Sequence, residues 1–153
     1  MPKQGIKNLN CQDYALYLLS LRAQSSEMLR QKLERKKYEA KDIDAALLRL
    51  TELGYINDEQ YAQTFFENLK KYKNFGFYGI KNKLILKKIP RKSIDTMLKT
   101  FTLAQEKEIA RRFISQNARK TREQLARSMQ SKGFRSDVIF SLLGSRFGEG
   151  ANE

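Results

Sequence analysis

Apolar residues recur along this chain at helical spacing, and one pattern is written three times. Ala62 is followed by Phe65 and Phe66, then by Ile80 and Leu84, then Ile89, then Ile94 and Leu98. Upstream the same order runs Ala15, Leu18, Leu19, then Leu29, Leu33, then Tyr38, then Ile43, Leu47. Downstream it runs Ala110, Phe113, Ile114, then Leu125, Met129, then Phe134, then Ile139, Leu143. In every copy the last five marks fall at offsets 0, +4, +9, +14 and +18, while the distance from the alanine to the first of them is 14, 18 and 15 in chain order. Steps of three and four put side chains on one helix face, so each copy predicts three short helices and the recurrence predicts a tandem repeat. No strand-like alternation bounded by turn residues persists anywhere, and the expected fold class is all-α. The three-helix units, called trios below, are expected at 11–54, 55–101 and 102–147, with a flexible arm at 1–10 and a flexible tail at 148–153.

Local signals support these helices. Ser25 or Ser26 can cap the second helix, and Asp42 suits the start of the third. Asn57 with Gln60, and Thr121 with Gln124, have capping-box spacing. Gly54 and Gly133 supply helix stops with left-handed geometry. Pro90 ends the helix expected from Ile80 to about Lys88 and suits the start of the next, whose stripe is Ile94, Met97, Leu98 and Phe101. The connector before Ile80 is expected to span Tyr72–Tyr78 and contains Gly76.

Charge changes the picture from fold to partner. The 153 residues carry 30 Lys and Arg against 17 Asp and Glu, a net charge of +13. Such a balance attracts a polyanion or an acidic protein surface. The excess is uneven: residues 1–54 have ten basic and seven acidic groups, 55–101 ten and four, and 102–153 ten and six. From Asn68 to Ile94 there is no acidic residue, and that stretch holds Lys70, Lys71, Lys73, Lys81, Lys83, Lys87, Lys88, Arg91 and Lys92. Tyr72, Phe75, Phe77 and Tyr78 lie among them, able to stack on bases of a single strand or to pack the connector onto the helices. A second cluster, Arg111, Arg112, Arg119, Lys120, Arg122 and Arg127, is interspersed with Glu106, Glu108 and Glu123.

Catalytic constellations do not emerge. The chain has no histidine and one cysteine, Cys11, which excludes Cys/His zinc sites, histidine acid–base schemes and an internal disulfide. Gly76 and Gly79 do not make a phosphate-binding loop, which needs G-x-x-x-x-G-K-[ST] after a strand. Asp42 with Asp44, and Asp58 with Glu59, lie at expected helix starts, where carboxylates are favoured by the helix dipole rather than by a metal. No metal, cofactor or enzymatic activity is expected. No secretory signal is evident, and the charge-free runs Tyr14–Leu21 and Val138–Ser145 are far shorter than the roughly 20 residues that cross a bilayer. A reducing, cytoplasmic setting fits the single cysteine.

Several stretches resemble a known family. Arg22-Ala-Gln-Ser25 runs into Leu29-Arg30-Gln-Lys32-Leu33, Gly54-Tyr55-Ile56-Asn57-Asp58 runs into Tyr61-Ala62 and Phe65, and Lys132-Gly133-Phe134 stands in the last trio. In this order and on the triple template they resemble RecX, the small bacterial regulator of the RecA recombinase, over nearly all of Asp13 to Phe147. Three positions depart from the family pattern. Leu69, followed by Lys70, stands where an arginine is common; Lys87-Lys88-Ile89 replaces a usual Lys-Gly-Ile; and Gly79 takes the place of an arginine before Ile80. The resemblance implies three tandem trios forming an elongated, curved array. It implies a non-enzymatic modulator that docks into the groove of the RecA filament on single-stranded DNA and inhibits strand exchange, ATP hydrolysis and co-protease activity; a monomer is expected. The basic and aromatic residues named above are the expected contacts to filament or nucleic acid.

A different class of reading is a regulator that binds DNA directly in helix-turn-helix fashion. It needs base-reading side chains at the start of a recognition helix, for which Arg91-Lys92 and Arg135-Ser136 are the candidates. A bland helical scaffold or an enzyme are the remaining alternatives.

Overall fold

A computed structural model of the chain describes residues 8–144. Among them are nine α-helices and no strand: α1 (Cys11–Leu21), α2 (Ser26–Arg35), α3 (Ala40–Glu52), α4 (Asp58–Tyr72), α5 (Phe77–Leu86), α6 (Arg91–Lys99), α7 (Leu103–Gln116), α8 (Arg122–Ser131) and α9 (Ser136–Leu143). The arm expected at 1–10 lies outside the described residues except for its last three, and the tail expected at 148–153 lies wholly outside them.

Two compact units emerge, which divide inside α4. The first holds the residues up to Ala62 together with Lys87–Ile89; the second holds Gln63–Leu86 and the residues from Pro90 onward. In the first unit α3 packs on α1 and α2. Its core is Ala15, Leu18, Leu29, Leu33, Ile43, Ala46, Leu47, Leu50 and Ile56, with Cys11 buried at the edge and Tyr14 and Tyr38 against it. In the second unit α9 packs on α7 and α8, and α6 on α5. Phe66, Ile80, Leu84, Ile94, Phe101, Ala110, Phe113, Met129, Val138 and Ile139 are buried there. Phe101 lies edge-on to Phe66, ring centroids 6.3 Å apart, and stacks on Phe77 at 6.5 Å.

The repeat pattern and the burial agree position by position. The marks are buried in all three trios except Leu19, Tyr38, Phe65 and Ile114, which are half-buried. Phe66, rather than Phe65, is the fully buried member of its pair. The backbone repeats as well. Lys37 (φ 68°), Lys88 (φ 62°) and Gly133 (φ 82°) each stand eight residues after the first mark of the second helix, and all three are left-handed. In the first and third trios this turn closes with paired bonds: Tyr38 N–H donates to Leu33 C=O and Lys37 N–H to Glu34 C=O, as Phe134 does to Met129 and Gly133 to Gln130. That double bond satisfies the last carbonyls of a helix, and it needs a residue with positive φ.

Helix starts follow the expected caps. Ser25 Oγ accepts from Met28 N–H, Asn57 Oδ1 from Gln60 N–H, and Thr121 forms a reciprocal capping box with Gln124. A second capping box, beyond those expected, pairs Thr102 with Gln105. One boundary differs: α5 begins at Phe77, not Ile80, so the connector is only 73–76. The reason is a carboxylate 29 residues downstream. Glu106 Oε2 accepts Phe77 N–H at 2.9 Å and caps the helix there.

Candidate functional site

The basic stretch between Asn68 and Ile94 occupies the end of α4, the connector, α5, the following turn and the start of α6. Lys71, Lys73, Arg91 and Lys92 of the second unit stand exposed, as does Lys88 of the first. Lys81, Lys83 and Lys87 are half-buried, with Lys87 in the first unit. Lys70 is partly spent: its ammonium lies 3.0 Å from Glu67 Oε1 and 4.3 Å from the centroid of Phe66. The stretch itself holds no carboxylate, and Glu67 sits one residue before it.

The four aromatics separate into two kinds. Phe75 is sandwiched by cations, with Lys83 and Lys132 each 5.1 Å from its centroid. Phe77 stacks on Phe101, and the Arg135 guanidinium covers it at 4.4 Å. Both are structural anchors. Tyr72 and Tyr78 instead expose 67% and 54% of their surface. Lys71 lies 5.2 Å from the Tyr72 ring.

In the second cluster, Arg111, Arg119, Lys120, Arg122 and Arg127 are exposed. Lys120 donates to Ser128 Oγ at 3.0 Å. Arg112 does something else. Its Nε donates to Asn74 Oδ1, its Nη1 to Lys71 C=O, and its Nη2 to the carbonyls of Lys70 and Lys73, all at 2.7–3.1 Å. The planar guanidinium therefore closes the C-terminal end of α4, whose carbonyls would otherwise lack partners. Glu106, fully buried, accepts from Phe77 N–H, Arg135 N–H and Arg135 Nε at 2.9, 2.9 and 2.6 Å. Arg135, a candidate base reader in the sequence, is thereby committed to the interior of its own unit.

Between α4 and α7 runs a groove of about 690 Å³, lined by Glu67, Asn68, Lys70, Lys71, Tyr72, Gln105, Glu108, Ile109 and Arg112. Its walls mix both signs of charge around one exposed ring. No group of acidic or cysteine side chains among the described residues could hold a metal ion.

A further basic focus was not legible from charge runs. In the first unit Lys32 donates to the buried Gln24, and its pKa is lowered by burial and by the nearby Arg22, Arg35 and Lys87. These four cations come from separate stretches of sequence, so only the fold gathers them. Burial also raises the phenols of Tyr38 and Tyr61 and the thiol of Cys11.

Comparison with known proteins gives this arrangement a context. The family model described as "RecX, first three-helix domain" matches residues 11–50. Regulatory protein RecX of Trichlorobacter lovleyi is 28% identical over 144 residues, covering 87% of this chain and 93% of that protein. These matches support a RecX family assignment for the chain. The RecX of Chlorobium phaeobacteroides is 35% identical over 89 residues, 58% of this chain and 59% of that one. The chain spans half the length of the Halalkalibacterium halodurans RecX that it matches. The crystal structure of RecX from Lactobacillus salivarius superimposes with a TM-score of 0.74 at 22% identity, covering 86% of this chain and 90% of that one, so the RecX fold is shared.

Proposed function

We propose that this chain regulates the RecA recombinase by docking into the groove of the RecA filament on single-stranded DNA. Bound there it lowers strand exchange, ATP hydrolysis and co-protease activity, without catalysis of its own. Its relatives are named regulatory proteins, and the observation that carries the docking reading is the carboxylate-free stretch from Asn68 to Ile94, where Lys71, Lys73, Arg91 and Lys92 present their charges to solvent. Cations so placed favour phosphates or an acidic protein surface, with binding that weakens as salt rises. The exposed Arg111, Arg119, Lys120, Arg122 and Arg127 extend the same preference. The protein acts as a cytoplasmic monomer, and its trios, 11–54, 55–101 and 102–147, are successive contact modules. No described helix is long and apolar enough to cross a membrane.

The direct DNA-reading alternative is weakened by Arg135, which Glu106 holds, leaving Arg91 and Lys92 as the exposed pair at a helix start. The test is RecA-dependent ATP hydrolysis on single-stranded DNA with substoichiometric amounts of this protein. Inhibition at modest salt is expected. Its absence, or tight sequence-selective duplex binding, contradicts the proposal.

A further inference from the structure

Helix α5 is apolar on two sides. Its inner side is Ile80 and Leu84, both fully buried. Its outer side carries Tyr78, Lys81, Asn82, Ile85 and Leu86, at steps of three, four, seven and eight from the tyrosine, which on a helix is one continuous stripe. Tyr78 is 54% exposed, Ile85 50% and Leu86 71%. Single exposed apolar residues are ordinary on a protein surface, but Ile85 and Leu86 are adjacent, and Tyr78 stands two turns before them on the same side with Lys81 and Asn82 between, a grouping that marks a surface that meets something. All five residues belong to the second unit.

We infer that the outer stripe of α5 is a protein-docking face, which seats Tyr78, Ile85 and Leu86 in an apolar groove edged with carboxylates. This rests on the filament reading above and assigns α5's share of the contact to the recombinase rather than to its DNA. The chemistry separates the possible occupants. Aliphatic side chains offer neither a π face for a base nor a donor for a phosphate, so Ile85 and Leu86 gain nothing from a nucleic-acid strand. They gain by leaving water for apolar protein surface. Lys81 lies within the stripe, and no carboxylate occurs between Asn68 and Ile94, so the rim of the complementary groove is acidic. A second copy of this chain, with net charge +13, carries the wrong sign. A tyrosine and an aliphatic pair on one helix side, with polar residues between and around them, is the composition of an interface.

The test compares the full chain with the Ile85→Ser, Leu86→Ser double variant, and separately with Tyr78→Ala, against three probes: RecA-coated single-stranded DNA, bare single-stranded DNA, and vesicles containing anionic lipid. Because these side chains point to solvent, thermal unfolding should stay within a few degrees of wild type. The expected result is a loss of roughly tenfold or more in affinity for the coated strand, with bare-strand affinity changed less than about twofold. Wild-type affinity of both variants for the coated strand overturns the docking face while leaving the functional reading in place. Equal losses on bare and coated strands overturn it in favour of a nucleic-acid contact, and vesicle binding abolished by the double variant overturns it in favour of a lipid surface. Failure of the wild-type chain to bind coated strands removes the functional reading and this partner assignment together.

Discussion

Glu106 and Asp58 hold the same place in the repeat and do the same work. Each stands four residues before the alanine mark of its trio, and each carboxylate caps the second helix of the preceding trio. Asp58 Oδ1 accepts Ser26 N–H at 2.7 Å while its other oxygen accepts the Ser26 hydroxyl; Glu106 accepts Phe77 N–H at 2.9 Å. Ser26 and Phe77 are again equivalent, three residues before Leu29 and Ile80. In the third trio the second helix relies on the Thr121–Gln124 capping box instead. A negative group at a helix N-terminus is favoured by the orphan N–H groups and the helix dipole.

The buried clasp predicts a large effect of Glu106. Glu106→Ala leaves two backbone N–H groups and the Arg135 guanidinium without their acceptor, and should cost about 3 kcal/mol or more in urea unfolding. Glu106→Gln keeps a carbonyl acceptor and should cost less, about 1–2 kcal/mol. A change below about 0.5 kcal/mol for the alanine variant would contradict the clasp.

Arg112 should tolerate no substitution, lysine included. Its fork reaches three carbonyls and one side-chain amide at the end of α4, a geometry a single ammonium cannot reproduce. Both Arg112→Ala and Arg112→Lys should lose about 1.5–3 kcal/mol of stability. A lysine variant as stable as wild type would show that charge, not the fork, closes the helix.

Two left-handed glycines should respond unequally to alanine. A Cβ on Gly54 (φ +85°) meets nothing, so Gly54→Ala carries only the backbone penalty of about 1–2 kcal/mol. A Cβ on Gly133 (φ +82°) would lie 2.0 Å from the backbone nitrogen of Gly79. There two backbone segments touch directly: Gly76 N–H donates to Lys132 C=O and Tyr78 N–H to Gly133 C=O. Gly133→Ala should therefore cost clearly more than Gly54→Ala in thermal melts, and equal costs would contradict the close approach.

Lys37 and Lys88 predict the opposite sign. Both hold positive φ at the position that Gly133 fills in the third trio. Lys88→Gly relieves the left-handed penalty and gives some of it back as unfolded-state entropy, for a net gain of about 0.5–1 kcal/mol. Lys37→Gly should behave alike. Destabilisation of both variants would show that the lysine side chains hold these turns.

What could be read from the sequence was what lies close along the chain. The stripes, the caps at Ser25, Asn57 and Thr121, and the stops at Gly54 and Gly133 all involve partners within a few positions, and each has the structure expected of it. The start of α5 was misplaced because its cap, Glu106, lies 29 residues away and reads locally as one acid among arginines. Gly79, a departure from the family pattern, has a reason distant in sequence that no spacing reveals: a Cβ there would lie 2.2 Å from Lys132 C=O. Arg112 was counted with its neighbours because only the fold brings α7 against the end of α4. Lys71, Lys73, Arg91, Lys92 and Tyr72 are exposed, whereas Phe75 and Phe77 pack as the other reading of the aromatics expects.

Docking of those cations onto the filament is tested most directly by one charge-reversed protein, Lys71→Glu, Lys73→Glu, Arg91→Glu and Lys92→Glu together, titrated into RecA hydrolysing ATP on single-stranded DNA. All four side chains are exposed and belong to the second unit, so thermal stability should stay close to that of wild type. The predicted result is that inhibition falls by tenfold or more, a change of about 1.4 kcal/mol or greater in binding. Undiminished inhibition by a normally folded variant would contradict it.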